Sequence, residues 1–328
     1  MFKDATILIT GGTGSWGQEL TRKLLLDQPR EIRIFSRNEF AQVTMARTFQ
    51  HSPLLKFLIG DVRDAEAVED ACRGADYVFH LAALKHVPIC EWQPEEALKT
   101  NVQGTINVIQ GSVKQRVKKV IDVSTDKAAL PINFYGMTKS IGERLMIQAN
   151  LAQPSTRFVC IRGGNVLGTN GSVVPYFKQL IQEGKEITLT SREMTRFFLT
   201  ISSAIELLLK AAKESLGGET FVMKMPACRI LDLAEVMIDA LATQPVSIRE
   251  TGIRPGEKLH EVLITPYESL HTYRYSDQYF VMLHGGPNHP QFSSYQSLEK
   301  VSFKQYQSNS DLMSKEEIGQ MLHGEGFI

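Results

Sequence analysis

Two short strings concentrate the reactive side chains of this chain: Ser124-Thr125-Asp126-Lys127 and, a few residues further on, Tyr135-Gly136-Met137-Thr138-Lys139. A phenol four residues ahead of a lysine on a helix shares a face with it. The ammonium favours phenolate, drawing a pKa that starts near ~10 toward neutrality. Such a pair can take the proton of an alcohol while the carbon beneath it loses hydride. Thr125 is placed to hydrogen-bond the same hydroxyl, or to cap the following turn. Asp126 and Lys127 supply a second acid–base set. A lysine base needs its pKa lowered from ~10.4 and an aspartic acid donor needs its raised from ~3.9. Burial drives both shifts and mutual attraction opposes them, so the set requires a dry site. In an exposed turn, the pair would leave only an ordinary oxidoreductase.

Short apolar runs alternate with helical patterns through the first half and position these strings. Residues 6–10, 31–36, 55–59, 77–81, 119–124 and 158–162 read as strands, with helices over 18–26, 65–72, 94–112 and 135–149 between them. The alternation predicts an α/β fold, a Rossmann-type doubly wound parallel sheet whose ligands lie beyond the carboxyl ends of the strands. After residue 163 the pattern loosens. Helices are expected over 173–182, 203–213, 232–242 and 314–322, the last with a Ser314/Glu317 capping box, and 277–310 reads as polar and irregular. The division expected is a cofactor domain over 1–163, with later crossings back to its sheet, and a smaller C-terminal substrate-binding domain and tail over 164–328.

The first strand runs into Thr10-Gly-Gly-Thr-Gly-Ser-Trp-Gly17, which opens a helix. Gly12, Gly14 and Gly17 fit one dinucleotide fingerprint, and Gly11, Gly14 and Gly17 fit another equally well. Either brings backbone N–H groups to a pyrophosphate at a helix N-terminus. Gly11, Thr13, Gly14, Ser15, Trp16 and Gly17 are therefore cofactor candidates. The second strand ends in Ser36-Arg37-Asn38, where an NAD-selecting chain usually places an acid for the ribose 2′-hydroxyl. A guanidinium beside a hydroxyl suits a 2′-phosphate, so NADP is expected rather than NAD. Asp61-Val62 is placed to meet adenine, and Leu81-Ala82 is small enough for close backbone approach. Tyr135 and Lys139 complete the cofactor set.

Composition excludes several classes. The 328 residues are 43% hydrophobic with 36 basic and 36 acidic side chains, so bulk charge offers no face for nucleic acid. The N-terminus shows no signal-peptide pattern, and there is no apolar run long enough for a membrane span. Four scattered cysteines and eight histidines form no metal-ligand spacing, so no metal is expected. Buried free thiols fit a reducing cytoplasm.

The chain resembles the extended short-chain dehydrogenase/reductases, and within them the inverting UDP-N-acetylglucosamine 4,6-dehydratases of pseudaminic acid and related polysaccharide pathways. The strings that carry the resemblance are Thr10–Ser15, Ala83–Pro88, Ser124–Ala128, Asn165–Gly168, Gly171–Pro175, Met194–Phe197 and Gly252–Glu261. Retaining relatives carry Asp-Glu where this chain has Asp126-Lys127. The resemblance implies that Tyr135 and Lys139 oxidise C4, that Lys127 removes the C5 proton, and that Asp126 protonates the departing C6 hydroxyl before hydride returns to C6. It also implies that Lys85, Asn165, Val173, Thr190, Arg254 and Glu257 hold the nucleotide sugar, that Lys85 also meets the cofactor, and that the chain is a homo-oligomer, a dimer or hexamer. Two departures stand out. Gly163 replaces an aromatic, which is expected to widen the sugar pocket and suggests release of a 5,6-unsaturated sugar. Glu193 replaces an arginine. The other readings are a nucleotide-sugar 4-epimerase or reductase and, from a different class, a non-catalytic NADP-binding sensor.

Overall fold

Strands appear where the sequence runs apolar over five to seven residues and helices where it turns amphipathic between them. The computed structural model describes residues 1–153, 155–168 and 172–328; Gly171 of the string Gly171–Pro175 lies outside them. Strands β1 (Thr6–Thr10), β2 (Glu31–Ser36), β3 (Leu55–Ile59), β4 (Tyr77–His80), β5 (Lys119–Thr125) and β6 (Arg157–Gly163) are joined by parallel pairings. Edge to edge, the nine-stranded sheet runs Thr272–Arg274, Tyr279–Leu283, Glu219–Met223, β6, β5, β4, β1, β2, β3. The order reverses at β1, with β2 on one side and β4 on the other. A crevice opens at that reversal, where doubly wound sheets take their ligands. β1 is buried at every residue, as a central strand covered on both faces must be.

A second core forms over the sheet's carboxyl edge. Helices Val173–Gln182, Ile230–Leu241 and Lys315–Gly324 pack Val174, Phe177, Leu233, Met237, Ile318 and Leu322 together. A three-stranded sheet of Asn165–Val166, Thr195–Leu199 and Ala227–Arg229 backs them. The Ser314/Glu317 capping box opens the last helix. Among the described residues no helix is long and apolar enough to cross a membrane.

Three sequence expectations need correction. Residues 277–310 are not uniformly irregular: Tyr279–Leu283 is a fully buried strand, antiparallel to Glu219–Met223. Its apolar run is only five residues long and polar neighbours mask it. The helix expected over 94–112 is interrupted by a π-helical turn at Lys99–Gln103. There the Asn101 amide leaves the helix face to bond both the N–H and the carbonyl of Leu84. The helix Glu39–Thr48 went unread because it buries only Gln42 and Met45, too few to mark a face, although Asn38 caps its first turn.

Candidate active site

The glycine loop is held from beneath by one histidine. His80, at the end of β4, contacts the Thr10 hydroxyl through Nδ1 (2.8 Å) and the Thr105 hydroxyl through Nε2 (3.2 Å). Thr105 already donates to the Asn101 carbonyl, so Nε2 carries the ring proton and Nδ1 accepts from Thr10. Thr10 in turn accepts from the Ala82 N–H. Burial pushes His80 down to about 4, so it stays neutral. The chain then turns through Gly14, the cap of helix Ser15–Leu26, with no side chain blocking the first turn's N–H groups. A Cβ at Gly17 would lie 2.2 Å from the Gly12 carbonyl oxygen, so only glycine lets that helix start so close to the loop. The free helix N-terminus and close backbone fit a pyrophosphate.

At the adenosine end, Ser36 is buried and its hydroxyl accepts from Gln42, leaving its own proton free to donate. Arg37 is half exposed, and its guanidinium lies 3.6 Å from Asp61. Asp61 is engaged by Arg63, at 2.6 Å. Burial raises the Asp61 pKa, and Arg63 and Arg37 outweigh it, holding the carboxyl below its usual range.

The opposite wall is built by β5, the 3₁₀ turn Asp126–Ala128 and the helix Phe134–Ala152. Asn133 caps that helix by accepting from the Gly136 N–H. A Cβ at Gly136 would meet the Lys127 carbonyl oxygen at 2.2 Å, so a glycine after Tyr135 brings the helix directly against the turn. The Lys127 ammonium lies 2.9 Å from Asp126 and 3.4 Å from Glu261, and Glu261 is 3.5 Å from Arg196. The Thr125 hydroxyl donates to Asp126.

One cleft of about 900 Å³ gathers nearly every candidate. Thr125, Lys127, Tyr135 and Lys139 line it, as do Gly11, Thr13, Gly14, Ser15, Trp16, Gly17, Ser36, Arg37, Asn38, Asp61, Val62, Leu81, Ala82 and Lys85. So do Asn165, Val173, Thr190, Arg254 and Glu257, with Thr190 donating to Glu257 at 3.1 Å. Asp126 does not: it is fully buried behind the wall, and its second carboxylate oxygen lacks a partner among the described residues. Its links to the cleft are the Thr125 hydroxyl and the Lys127 ammonium, which both bond its Oδ1.

The protonation states differ from those the sequence suggested. Burial lowers the Lys127 pKa, but Asp126 and Glu261 reverse that and leave it raised. Tyr135 is also raised, because burial outweighs the pull of Lys139, Lys127 and Thr125. The pocket is not widened at Gly163 either. That residue is buried off the cleft, and a Cβ there would meet the Met223 sulfur at 3.2 Å. Methionines fill the space an aromatic would take. Glu193 is exposed and outside the cleft. Sequence reasoning passed over Tyr176, Phe177 and Met194 on the sugar side, and Glu261 beside Lys127. Glu261 closes the quoted string Gly252–Glu261, so its acid was visible but its partner was not.

A switch-point glycine loop facing a Tyr–Lys pair on the helix that follows β5 defines an extended short-chain dehydrogenase/reductase. The chain belongs to the polysaccharide biosynthesis protein family, whose model matches residues 7–283. A Campylobacter jejuni protein named UDP-N-acetylglucosamine 4,6-dehydratase (inverting) is 44% identical over 86% of this chain and 84% of its own length. A Rickettsia typhi protein named UDP-glucose 4-epimerase is also 44% identical, over 81% of this chain and 79% of its own. The crystal structure of Pen from Bacillus thuringiensis superposes with a TM-score of 0.92 at 38% identity, covering 100% of this chain and 99% of Pen.

Proposed function

We propose that the chain is a C5-inverting UDP-N-acetylglucosamine 4,6-dehydratase that uses a tightly held NADP. The observation that carries this reading is the contact between Lys127 and Asp126 on the wall that also presents Tyr135. A 4-epimerase needs one proton-transfer couple, whereas elimination of water needs a second.

Tyr135 takes the proton of the C4 hydroxyl, aided by Thr125, and the Lys139 ammonium stabilises the phenolate. A bound nicotinamide supplies hydride acceptance at C4 and hydride return at C6. The new ketone acidifies C5, and Lys127 removes that proton. A single proton shift across the 2.9 Å contact turns the ammonium–carboxylate pair into an amine and a carboxylic acid. Those are the base and the acid that elimination requires, and the shift changes no net charge in the buried site. The acid proton then passes by way of Thr125, which bonds Asp126 and lines the cleft, to the C6 hydroxyl, which leaves as water. With hydride returned to C6, C5 takes a solvent-exchangeable proton on the opposite face, completing the inverted 4-keto-6-deoxy sugar.

Support for NADP comes from Ser36 and Arg37 at the end of β2, with Asp61 already committed to Arg63. The filled space at Gly163 favours a saturated 4-keto-6-deoxy product over a released 5,6-ene. Four free buried thiols fit a reducing cytoplasm. Exposed Met137 and Ile141 on the Tyr135 helix suit a second copy of the chain in a homo-oligomer.

The test is mass spectrometry and NMR of UDP-N-acetylglucosamine turned over in deuterated water. The dehydratase gives loss of one water with deuterium at C5. An epimerase or reductase retains the water, a sensor gives no product, and a 5,6-ene shows an olefinic signal.

A further inference from the structure

An acid lies buried directly behind the oxidising pair. Asp122 lies in the middle of β5, is fully inaccessible, and places one carboxylate oxygen 3.3 Å from the Lys139 ammonium. Its other oxygen has no hydrogen-bond partner among the described residues. A carboxylate in the central strand of a parallel sheet is costly unless paired, and Lys139 is the cation that meets it. The lysine is almost as deeply buried, so each charge depends on the other.

The remaining groups around the pair are accounted for. His80, on β4, faces Asp122 and is held neutral between two threonines. Cys160, on β6, faces Asp122 and Lys139 and is kept a thiol by burial. Glu143, one turn along the helix, is occupied by Arg162 through two hydrogen bonds. Lys127 and Asp126 face Tyr135 from the 3₁₀ turn. Lys139 is thus shared between two partners, the Asp122 carboxylate behind it and the Tyr135 phenol in front.

We propose that Asp122 is a positioning residue of the oxidising pair, its buried carboxylate fixing the Lys139 ammonium and setting the pH range over which Tyr135 accepts a proton. This rests on Tyr135 and Lys139 being that pair. With the carboxylate present, Lys139 remains an ammonium into alkaline solution. Without it, the lysine sheds its proton at lower pH and the phenolate loses its counter-charge.

The test compares Asp122→Asn with the wild-type holoenzyme turning over UDP-N-acetylglucosamine across pH. The alkaline limb of kcat moves down by at least one unit. That is about a tenfold loss of rate at a pH where the wild type still holds its plateau, with KM unchanged. A folded variant whose profile superimposes on the wild type overturns the proposal. Thermal unfolding supplies a second test that needs neither substrate nor the Asp122→Asn single variant. Lys139→Met strands the carboxylate and lowers Tm, and adding Asp122→Asn restores part of the loss. A double variant no more stable than Lys139→Met overturns the pairing. Absence of any wild-type turnover would instead count against the dehydratase reading, while leaving the unfolding comparison valid.

Discussion

Acid should destabilise the fold through His80, the histidine beneath the cofactor loop. Its pKa is 6.5 in an ordinary setting and about 4 in the folded protein, mainly because burial penalises the imidazolium. The folded value lies below the unfolded one, so the unfolded chain binds the proton more tightly. Stability is complete above pH ~6.5 and declines as pH falls toward ~4. At pH ~5 the two values give a loss of about 2 kcal/mol, a large part of a typical stability of about 5–15 kcal/mol. His284, half-buried beside Thr220 and pushed down to about 3 mainly by desolvation, adds a similar loss in the same window. Urea denaturation of the wild type and of His80→Asn at pH ~7.5 and ~5 measures the difference, and the variant should lose only about half as much stability as the wild type. An equal drop in both proteins would refute the reasoning. In the folded protein the ring stays neutral and keeps accepting from Thr10 until pH falls to about 4, so dinucleotide affinity should hold across that interval and weaken only below it.

Tyr135→Phe should slow turnover by about 10²–10⁴-fold while leaving UDP-sugar affinity in place; steady-state rates and calorimetry check both, and a loss smaller than about tenfold would remove the phenol from the chemistry. Gly17→Ala drives a methyl to 2.2 Å from the Gly12 carbonyl oxygen. It should cost about 1–3 kcal/mol of stability and most of the dinucleotide affinity, read by thermal melts with and without NADP. Arg37→Ala should weaken NADP binding by about tenfold or more through loss of a charge-assisted contact and leave NAD binding unchanged, as competitive titration would show.

Local signals made much of this legible. β1, β2 and β3 run where five or six apolar-rich residues meet turn residues, and the glycine loop and Tyr135–Lys139 follow such strands directly. What failed depended on partners distant in sequence. Asp122 lies inside a run that reads as apolar strand, and nothing beside it shows that Lys139 waits on the next helix. Gly163 looked like empty space because Met223, which fills it, lies on a strand some sixty residues away. The expected shifts of Lys127 and Tyr135 carried the right causes, but Glu261 adds a carboxylate to Lys127 and burial dominates at Tyr135.

The strand Tyr279–Leu283 also governs how the molecule is made. It closes the hydrogen-bonding edge of Glu219–Met223, which itself lies against β6, and the family match ends at its last residue. A nascent chain therefore emerges with its nucleotide loop long before the ladder that supports the catalytic wall is finished. Fragments ending near residue 165 would expose a raw, aggregation-prone β6 border. The two halves can be exchanged between relatives only if that late strand travels with the sheet it completes.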